Sequence, residues 1–417
     1  MSHGADQLAH RERGDPAAAG AGPARVDALL LGAILLLVAV GMVFVYSASA
    51  VQAGRAGDEF HYLKRQLLAA GVGLGLMFLA VRLGTERLAR LAYPLMGAAL
   101  LLLLLVPLVG KTAGGAQRWI PLGPLNLQPA EVAKVALVLY LARSLAHKQD
   151  KVRLFSIGLL PHVLVTALVA GLCLWQKDLG TGFVLFLVLL AMLFAAGARV
   201  VYLLSALAAA LPVAYHLIRH TEYRWQRIIA FLEPARFKDT IGFQLWESLV
   251  LTSKGGWLGQ GLGQGRARLY YLPAASTDFI AAVIAEEAGL LGVALLIGLF
   301  AIVVWRGLRA TIRARDAFGC YAALGMTTLI GGQALVNLAV VLGMLPTKGL
   351  TLPFVSYGGS SLLTLLAGAG VLLAVSADRG GFLVRAPGAV RVRRPGPGER
   401  PAAATARLRA ARAEETP

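Results

Sequence analysis

The sequence predicts an all-α polytopic membrane protein with about ten transmembrane helices and one long extracytoplasmic loop between spans seven and eight. Hydrophobic residues make up 57% of the 417 residues and charged residues only 15%, whereas a soluble domain carries about a quarter charged residues. Long apolar runs recur along the chain, and about ten spans of about 20 residues each account for roughly half of it. This composition excludes a soluble two-domain protein.

The predicted spans follow the apolar runs in order. The first run ends at residues 47–50 in Ser-Ala-Ser-Ala, which resembles a signal-peptidase site, but its length is typical of an uncleaved span. The connection at about 219–278, between the seventh and eighth runs, contains three tryptophans and a glycine-rich run at 255–263. A loop of that length is usually functional. The apolar runs lie at about 26–50, 63–81, 91–110, 129–146, 154–174, 179–197, 200–218, 279–305, 319–345 and 360–377.

The positive charges between the spans predict the orientation of the chain. The formal charge is +18, but the Lys and Arg residues do not gather on one face or helix, so a nucleic-acid-binding protein is not indicated. One set of short loops holds twelve of them and the opposite set holds seven. The positive-inside rule makes the richer set cytoplasmic, and an even number of spans then places both termini there. The richer loops are 82–90, 143–153, 199 and 306–315.

Three regions are predicted from these boundaries. Residues 1–25 are expected to form a disordered cytoplasmic arm, and residues 26–377 the transmembrane domain. Residues 378–417 are expected to form a disordered, basic cytoplasmic tail that can touch anionic lipid head groups.

Ionisable groups at membrane depth are costly, so each one is a functional candidate. Span four opens at Pro129, and Gln128, Glu131 and Lys134 recur every three residues on one face. Either Glu131 and Lys134 merely neutralise each other, or this face lines a polar cavity in which Lys134 is available to an anion. Arg118 precedes the span and is either a head-group anchor or an anion ligand with a bidentate fork.

Two aspartates stand where helices are predicted to begin. Asp178 precedes span six and Asp278 precedes span eight, and helix capping explains each of them as well as a functional role does. Thr277 can also cap span eight, and Glu286 lies eight residues beyond Asp278 on the same face, roughly 12 Å deeper. Span eight is therefore predicted to carry one carboxylate at its mouth and another at depth.

Polar residues and irregular backbone also mark the end of the chain's apolar region. Gln333 and Asn337 share a face of span nine, and hydrogen bonding between helices explains them. Residues 345–361, which include Lys348 and Ser356, contain two prolines and three glycines and cannot form one regular helix. Such backbone is tolerated only where it is buried in protein or lines a wet cavity. The pattern predicts an outward-facing cavity that suits a bulky, anionic, lipid-linked substrate, and it suits a transporter almost as well.

The chain resembles the SEDS family (shape, elongation, division and sporulation) of peptidoglycan polymerases over about residues 26–377. The forms of the motifs at 46–49 and 346–353 are similar to those of the family's division branch. The motifs that carry the resemblance are Arg118-Trp119-Ile120, Gln128 to Lys134, Asp178 to Thr181, Tyr271-Leu272-Pro273, Thr277 to Ile280, Glu286-Glu287 with Gly289, and Pro346 to Ser361.

The resemblance implies a glycosyltransferase that polymerises lipid II during septal cell-wall synthesis, with undecaprenyl pyrophosphate as the leaving group. The family's essential catalytic aspartate is here Asp278, a carboxylate that could take the proton of the attacking sugar hydroxyl. The charge that grows on the pyrophosphate needs cations, for which Arg118, Lys134, Lys348 or a divalent metal such as Mg²⁺ or Mn²⁺ are candidates. No organic cofactor is expected. The substrate-binding candidates are Arg118, Gln128, Glu131, Lys134, Asp178, Lys348 and Ser356, and the supporting candidates are Thr277, Glu286, Gln333 and Asn337.

The resemblance also implies partners and a location. The expected partners are a class B penicillin-binding protein (a transpeptidase), other division proteins and membrane lipids, at the septum of a bacterial inner membrane. Two alternatives stay open, which are a lipid II flippase or transporter and a non-catalytic scaffold for a transpeptidase. Transporters tend to have related halves with broken helices in matching positions, and the sequence contains one irregular segment without a counterpart.

Two segments depart from the family's pattern. Lys177 stands where the family usually has proline, and residues 274–276 lack the usual Glu and His that precede the catalytic Thr-Asp pair. These departures put in doubt any role for those two missing side chains, but Asp278 itself is present.

Overall fold

The structure is a computed structural model that describes residues 26–55, 57–113, 116–123, 125–266 and 274–378. The predicted terminal segments, apart from Asp378, and the motif at 271–273 lie outside these residues. Each predicted apolar run coincides with a helix. The helices are α1 (Ala28–Arg55), α2 (His61–Val109), α3 (Pro129–His147), α4 (Leu160–Trp175), α5 (Leu179–Ala195), α6 (Val200–Arg219), α7 (Glu222–Leu232), α8 (Phe243–Lys254), α9 (Ile280–Arg313), α10 (Ala317–Val341) and α11 (Gly359–Ala377).

Seven helical segments in the described residues are long and apolar enough to cross a membrane. One of them, α2, has 49 residues and would be about 74 Å long if straight, more than twice the thickness of a bilayer core. It is divided at Gly84, whose φ of 70° is not helical, so that its two parts match the second and third predicted spans. The helix α5 is apolar but short. The helix α3 is continuous, but the charged residues Glu131, Lys134 and Arg143 interrupt its apolar sequence. The count of ten stays a prediction.

The helices differ in how deeply they lie in the protein. In α11, 83% of the residues in its most apolar stretch are buried, whereas in α6 none are. The helix α11 packs against α2 and α10, and α10 packs in turn against α3, α5 and α9. The polar residues predicted at membrane depth therefore cluster around α3, α10 and the segment that precedes α11.

Two features add detail to the all-α membrane fold that the sequence predicts. A small antiparallel sheet, with strands β1 (Lys111–Ala113), β2 (Ala116–Leu122) and β3 (Leu125–Leu127), lies between α2 and α3. This segment is short and rich in strand-favouring residues such as Thr112, Trp119 and Ile120. The predicted loop at about 219–278 contains the helices α7 and α8. The sequence of α7 contains a charged residue every few positions, so it is too polar to predict a membrane span. Charged residues do not prevent a helix from forming.

Candidate functional site

The candidate site is built around Asp278, which lies in the turn that leads into α9. The side-chain amide of Asn337 in α10 donates to the main-chain oxygens of Asp278 at 2.8 Å and of Leu350 at 2.6 Å. The Ser356 hydroxyl donates to the main-chain oxygen of Thr277 at 2.5 Å. The backbone on both sides of the aspartate is thereby tied to α10 and to the irregular segment 345–361. Ser356, Thr277 and Asn337 thus position the turn.

The side chain of Asp278 is half-buried and stands among charged groups. Its Oδ2 atom lies beside Gly349, where a Cβ atom would be only 3.4 Å away. Removal from water is the largest effect on this carboxyl and raises its pKa to about 6. Smaller effects come from Arg227 and Arg118, which lower the pKa, and from Asp178, which raises it. A carboxylate with that pKa is ionised at neutral pH and is well matched to accept a proton.

Arg227 is a member of this group that the sequence did not reveal. It lies in α7, where its guanidinium donates to the main-chain oxygen of Thr347 at 3.1 Å and stacks 4.4 Å from the ring centre of Tyr223. The sequence signal was only that the long connection was expected to be functional. An arginine in a polar connection between spans matches no sequence pattern that would mark it as functional. Only the fold brings Arg227 close enough to act electrostatically on Asp278.

Arg118 holds the turn that precedes α5. Its Nε donates to the main-chain oxygen of Gln176 at 2.8 Å and its Nη2 to that of Lys177 at 2.6 Å. Lys177 has a φ of 63°, in the left-handed region. Proline is restricted to φ near −65° and could not adopt this conformation. The lysine that replaces the family's usual proline therefore accompanies a left-handed turn.

Asp178 caps α5, one of the two interpretations that the sequence left open. Its Oδ1 accepts from the main-chain N–H of Thr181 at 3.0 Å, and its Oδ2 accepts from the hydroxyl of the same residue at 2.9 Å. The side chain of Gln128 donates to Oδ2 at 3.3 Å. This cap holds a buried negative charge close enough to Asp278 to raise the pKa of Asp278.

Glu131 and Lys134 form a buried pair. The Nζ atom of Lys134, a residue only 1% exposed, lies 2.8 Å from Glu131 Oε2 and donates to Gln333 Oε1 at 2.8 Å. Gln333 donates onward to the main-chain oxygen of Thr351 at 2.9 Å. The pair therefore connects α3 through α10 to the irregular segment, in agreement with the neutralising alternative. A direct role of Lys134 toward an anion stays a prediction.

The glycine-rich run 255–263 packs into a break in α9. Gly289 has a φ of 65°, so the helical hydrogen bonds around it are interrupted. The run replaces them, because Leu290 N–H donates to Gly256 O at 2.9 Å and Gln260 N–H donates to Glu286 O at 2.9 Å. The first part of α9, which carries Asp278 at its mouth, is thus held by a loop as well as by neighbouring helices.

The two carboxylates after Asp278 in α9 face this loop. Glu286 is fully buried, and its Oε1 accepts from the main-chain N–H of Arg266 at 2.8 Å. Both carboxylate oxygens of Glu287 lie 2.7 Å from the hydroxyl of Ser47 in α1, and Oε2 also accepts from Gly263 N–H at 3.1 Å. Glu286, the carboxylate predicted to lie deeper in span eight, therefore binds protein backbone, and its depth in the membrane stays a prediction.

Lys348 lies in the irregular segment, with its Nζ atom 4.3 Å from the ring centre of Phe183. Burial lowers the pKa of this amine. As for metals, no three His, Cys, Asp or Glu side chains of the described residues come together in a way that could hold an ion.

These features define a class of protein, namely a multi-pass membrane protein with a polar site built from loops and helix ends around a half-buried aspartate. The family model described as cell cycle protein, FtsW/RodA/SpoVE, matches residues 27–380. The chain belongs to this family.

Several relatives share most of the chain. It is 45% identical over 357 residues to a probable peptidoglycan glycosyltransferase FtsW from Trichlorobacter lovleyi, covering 85% of this chain and 94% of the relative. It is 39% identical over 353 residues to stage V sporulation protein E from Bacillus subtilis, covering 84% and 96%.

Solved structures give the same result. A peptidoglycan synthase complex described as coordinating polymerization and crosslinking contains a chain with a TM-score of 0.70 and 36% identity, covering 85% of this chain and 98% of that one. The rod shape determining protein RodA from Thermus thermophilus matches with a TM-score of 0.63 and 35% identity, covering 85% and 97%. The fold and the family are therefore established together.

Proposed function

We propose that this protein is a peptidoglycan glycosyltransferase that polymerises lipid II into glycan strands during septal cell-wall synthesis. Asp278 is the observation that carries the proposal. Its backbone is fixed by Asn337, its carboxylate has a raised pKa of about 6, and two arginines stand near it. The names of the relatives, glycosyltransferases among them, support the same activity.

The proposed reaction is a single inverting displacement. The Asp278 carboxylate accepts the proton of the acceptor's sugar hydroxyl as that oxygen bonds to the anomeric carbon of the donor. The bond from that carbon to the pyrophosphate oxygen breaks, and its electron pair leaves with undecaprenyl pyrophosphate. One base is sufficient, because the leaving group needs no proton in order to depart.

The charge that develops on the leaving pyrophosphate needs cations placed in advance. Arg227 and Arg118 are proposed for this role because both act electrostatically on Asp278. Lys348 is a further candidate. Its amine lies over the uncharged ring of Phe183. Five further residues are proposed to act indirectly, by holding these groups in position, because their side chains contact other parts of the protein. They are Gln128, Glu131, Lys134, Asp178 and Ser356.

A divalent cation is a candidate for the same charge. Mg²⁺ usually keeps several waters and binds largely through substrate phosphates, so a cation on the pyrophosphate would leave the carboxylate of Asp278 free to accept the proton. Activity in a chelator, followed by addition of Mg²⁺ or Mn²⁺, tests whether the metal is required.

Polymerisation of labelled lipid II by the purified protein in detergent tests the proposed function. Glycan strands are expected from the protein alone or with a class B penicillin-binding protein, the kind of partner suggested by the similar synthase complex. Transfer of lipid II across vesicles without strands would instead indicate a flippase. Partner binding without either activity would indicate a scaffold. The septal location is proposed from the relatives named FtsW and is tested by imaging a fluorescent fusion.

A further inference from the structure

A recess opens at the opposite end of α9 from Asp278, between the ends of three helices. Asp27, just before α1, and Ser376 of α11 line it together with three arginines of α9, and it is a shallow recess that is open on one side. The charge distribution of the loops predicts that this end is cytoplasmic. The recess is remote from the proposed reaction and has no part in it. The three arginines are Arg306, Arg309 and Arg313.

Asp27 is occupied by partners within the protein. Its Oδ2 accepts from Arg306, at 2.8 Å from Nε and also from Nη2, and its Oδ1 accepts from Leu30 N–H at 3.1 Å. The main-chain N–H of Asp27 donates to the Ser376 hydroxyl at 3.4 Å. This aspartate therefore neutralises Arg306 and joins α1, α9 and α11.

The other two arginines leave the recess positively charged. In the described part of the chain, neither Arg309 nor Arg313 lies within ion-pair distance of a carboxylate. Three arginines and one aspartate line the recess, so two positive charges remain. Positions 306, 309 and 313 share one face of a helix, so their guanidinium groups can converge on one anion.

The surroundings of the recess are those of a membrane interface. Trp305 is 54% exposed, and its ring centre lies 5.4 Å and 5.9 Å from the guanidinium carbons of Arg306 and Arg309. Leu308 and Ile312, on the same turns, are also exposed. Exposed tryptophan beside arginine is typical of the level of lipid head groups, and exposed aliphatic side chains there face acyl chains.

We propose that this recess binds the phosphate of an anionic phospholipid from the cytoplasmic leaflet. The guanidinium forks of Arg309 and Arg313 match a phosphate in a bidentate manner. Basic pockets between transmembrane helices on the cytoplasmic side are known to bind such head groups. A soluble phosphate has the same chemistry at the anion, but only a lipid would also use the exposed apolar side chains beside the recess.

Lipid binding to the purified full chain tests the proposal. Native mass spectrometry in detergent measures the apparent Kd for phosphatidylglycerol and for phosphatidylethanolamine with the same acyl chains. We expect tighter binding of phosphatidylglycerol, and a loss of about 30-fold in R309Q/R313Q, since two arginines near the surface are removed. The matched control is R87Q/R90Q, which removes two exposed arginines of α2 from a segment predicted to be cytoplasmic. It should leave the Kd nearly unchanged.

Three outcomes would overturn the proposal. The first is an unchanged Kd in R309Q/R313Q, and the second is an equal loss in the control. The third is displacement of phosphatidylglycerol by inorganic phosphate at comparable concentration, which would assign the recess to a soluble anion. If the double variant does not fold, R313Q alone changes an exposed side chain and should weaken binding about fivefold.

Discussion

At the scale of single residues, the proposed role of Asp278 requires a carboxylate that is both ionised and basic. Burial opposes its negative charge, and the arginines at 227 and 118 offset that effect only in part. The result is a carboxylate that is ionised at neutral pH and still basic enough to accept a proton. Asp178, by contrast, has its oxygens occupied by Thr181 and Gln128.

The pKa of about 6 for Asp278 predicts a pH dependence of polymerisation. The base acts only when deprotonated, so kcat/KM should be low below pH 6 and should rise to a plateau above it. Removing the charge of Arg227 should raise the pKa of Asp278, so Arg227→Gln should move the midpoint to higher pH. Rates measured between pH 5 and 8 give the midpoint. Arg224→Gln, on the same helix, is the control, and an equal midpoint in all three proteins would contradict this account.

The buried pair of Glu131 and Lys134 predicts a rescue. Lys134→Met leaves an unpaired carboxylate among buried groups and should cost about 3–5 kcal/mol of stability, with loss of activity. Adding Glu131→Gln removes that charge and should restore most of both. Thermal unfolding and the polymerisation assay measure the two effects. Lys64→Met is the matched control, because its partner Asp58 is exposed and the Tm should change little.

The outcome of that experiment separates the two roles of Lys134. If the double variant regains its stability and remains inactive, the lysine acts on an anion and not only on Glu131. If both return, the lysine serves to neutralise its partner.

At the scale of elements, the break in α9 at Gly289 and the glycine-rich run 255–263 together hold the first part of α9 in position. A Cβ atom at Gly259 would lie 2.1 Å from the main-chain oxygen of Glu287, and the φ of Gly259 is 78°. No other residue fits there without displacing the loop. The loop in turn supplies hydrogen bonds that the broken helix lacks, so the two elements stabilise each other.

Gly259→Ala is therefore expected to lower the apparent Tm and the polymerisation rate together. Backbone strain of this kind costs about 1–3 kcal/mol, before the loss of packing is added. Gly298→Ala, in α9 itself, is the control, because a Cβ atom there meets nothing within 4 Å. It should be neutral or slightly stabilising. Equal Tm values for the two variants would show that the loop is not held as described.

Most helices could be predicted from the sequence because a bilayer requires long apolar runs, and such runs stand out. The sheet before α3 and the helices α7 and α8 could not, since short or polar segments carry no comparable signal. Asp278, Asp178 and Glu131 were singled out as candidates because charges are rare at membrane depth, and the proposed role of Asp278 followed from the family resemblance. Arg227 was missed because its charge is unremarkable in a polar connection. Its significance depends on tertiary contacts such as the hydrogen bond to Thr347.

At the scale of the whole molecule, the protein is a multi-pass membrane protein in which the candidate site and the basic recess lie at opposite ends of α9. This helix has 34 residues, about 51 Å, and is longer than a bilayer core. Asp278 precedes its first residue, and the recess with Arg309 lies in its last turns. If the helix spans the membrane, the proposed reaction and the proposed lipid site are on opposite sides.

The distribution of Lys and Arg among the loops predicts which side is which. A reporter fused after Arg315, beyond the end of α9, should behave as cytoplasmic, and one placed at Arg236 as extracytoplasmic. Alkaline phosphatase and green fluorescent protein fusions measure this in opposite senses. Reversed signals at both positions would invert the orientation and would place Asp278 on the side opposite to that of cell-wall synthesis.

The most direct test of the central claim is the polymerisation rate of Asp278→Asn. Asparagine keeps the size of the side chain, and no side-chain cap is recorded at the start of α9, but asparagine cannot accept the proton. We predict a protein with unchanged elution and Tm whose rate of glycan synthesis falls about a hundredfold or more. Asp178→Asn, which retains the cap on α5, should lose much less. A folded Asp278→Asn protein that makes long glycan strands at near the normal rate would contradict the account.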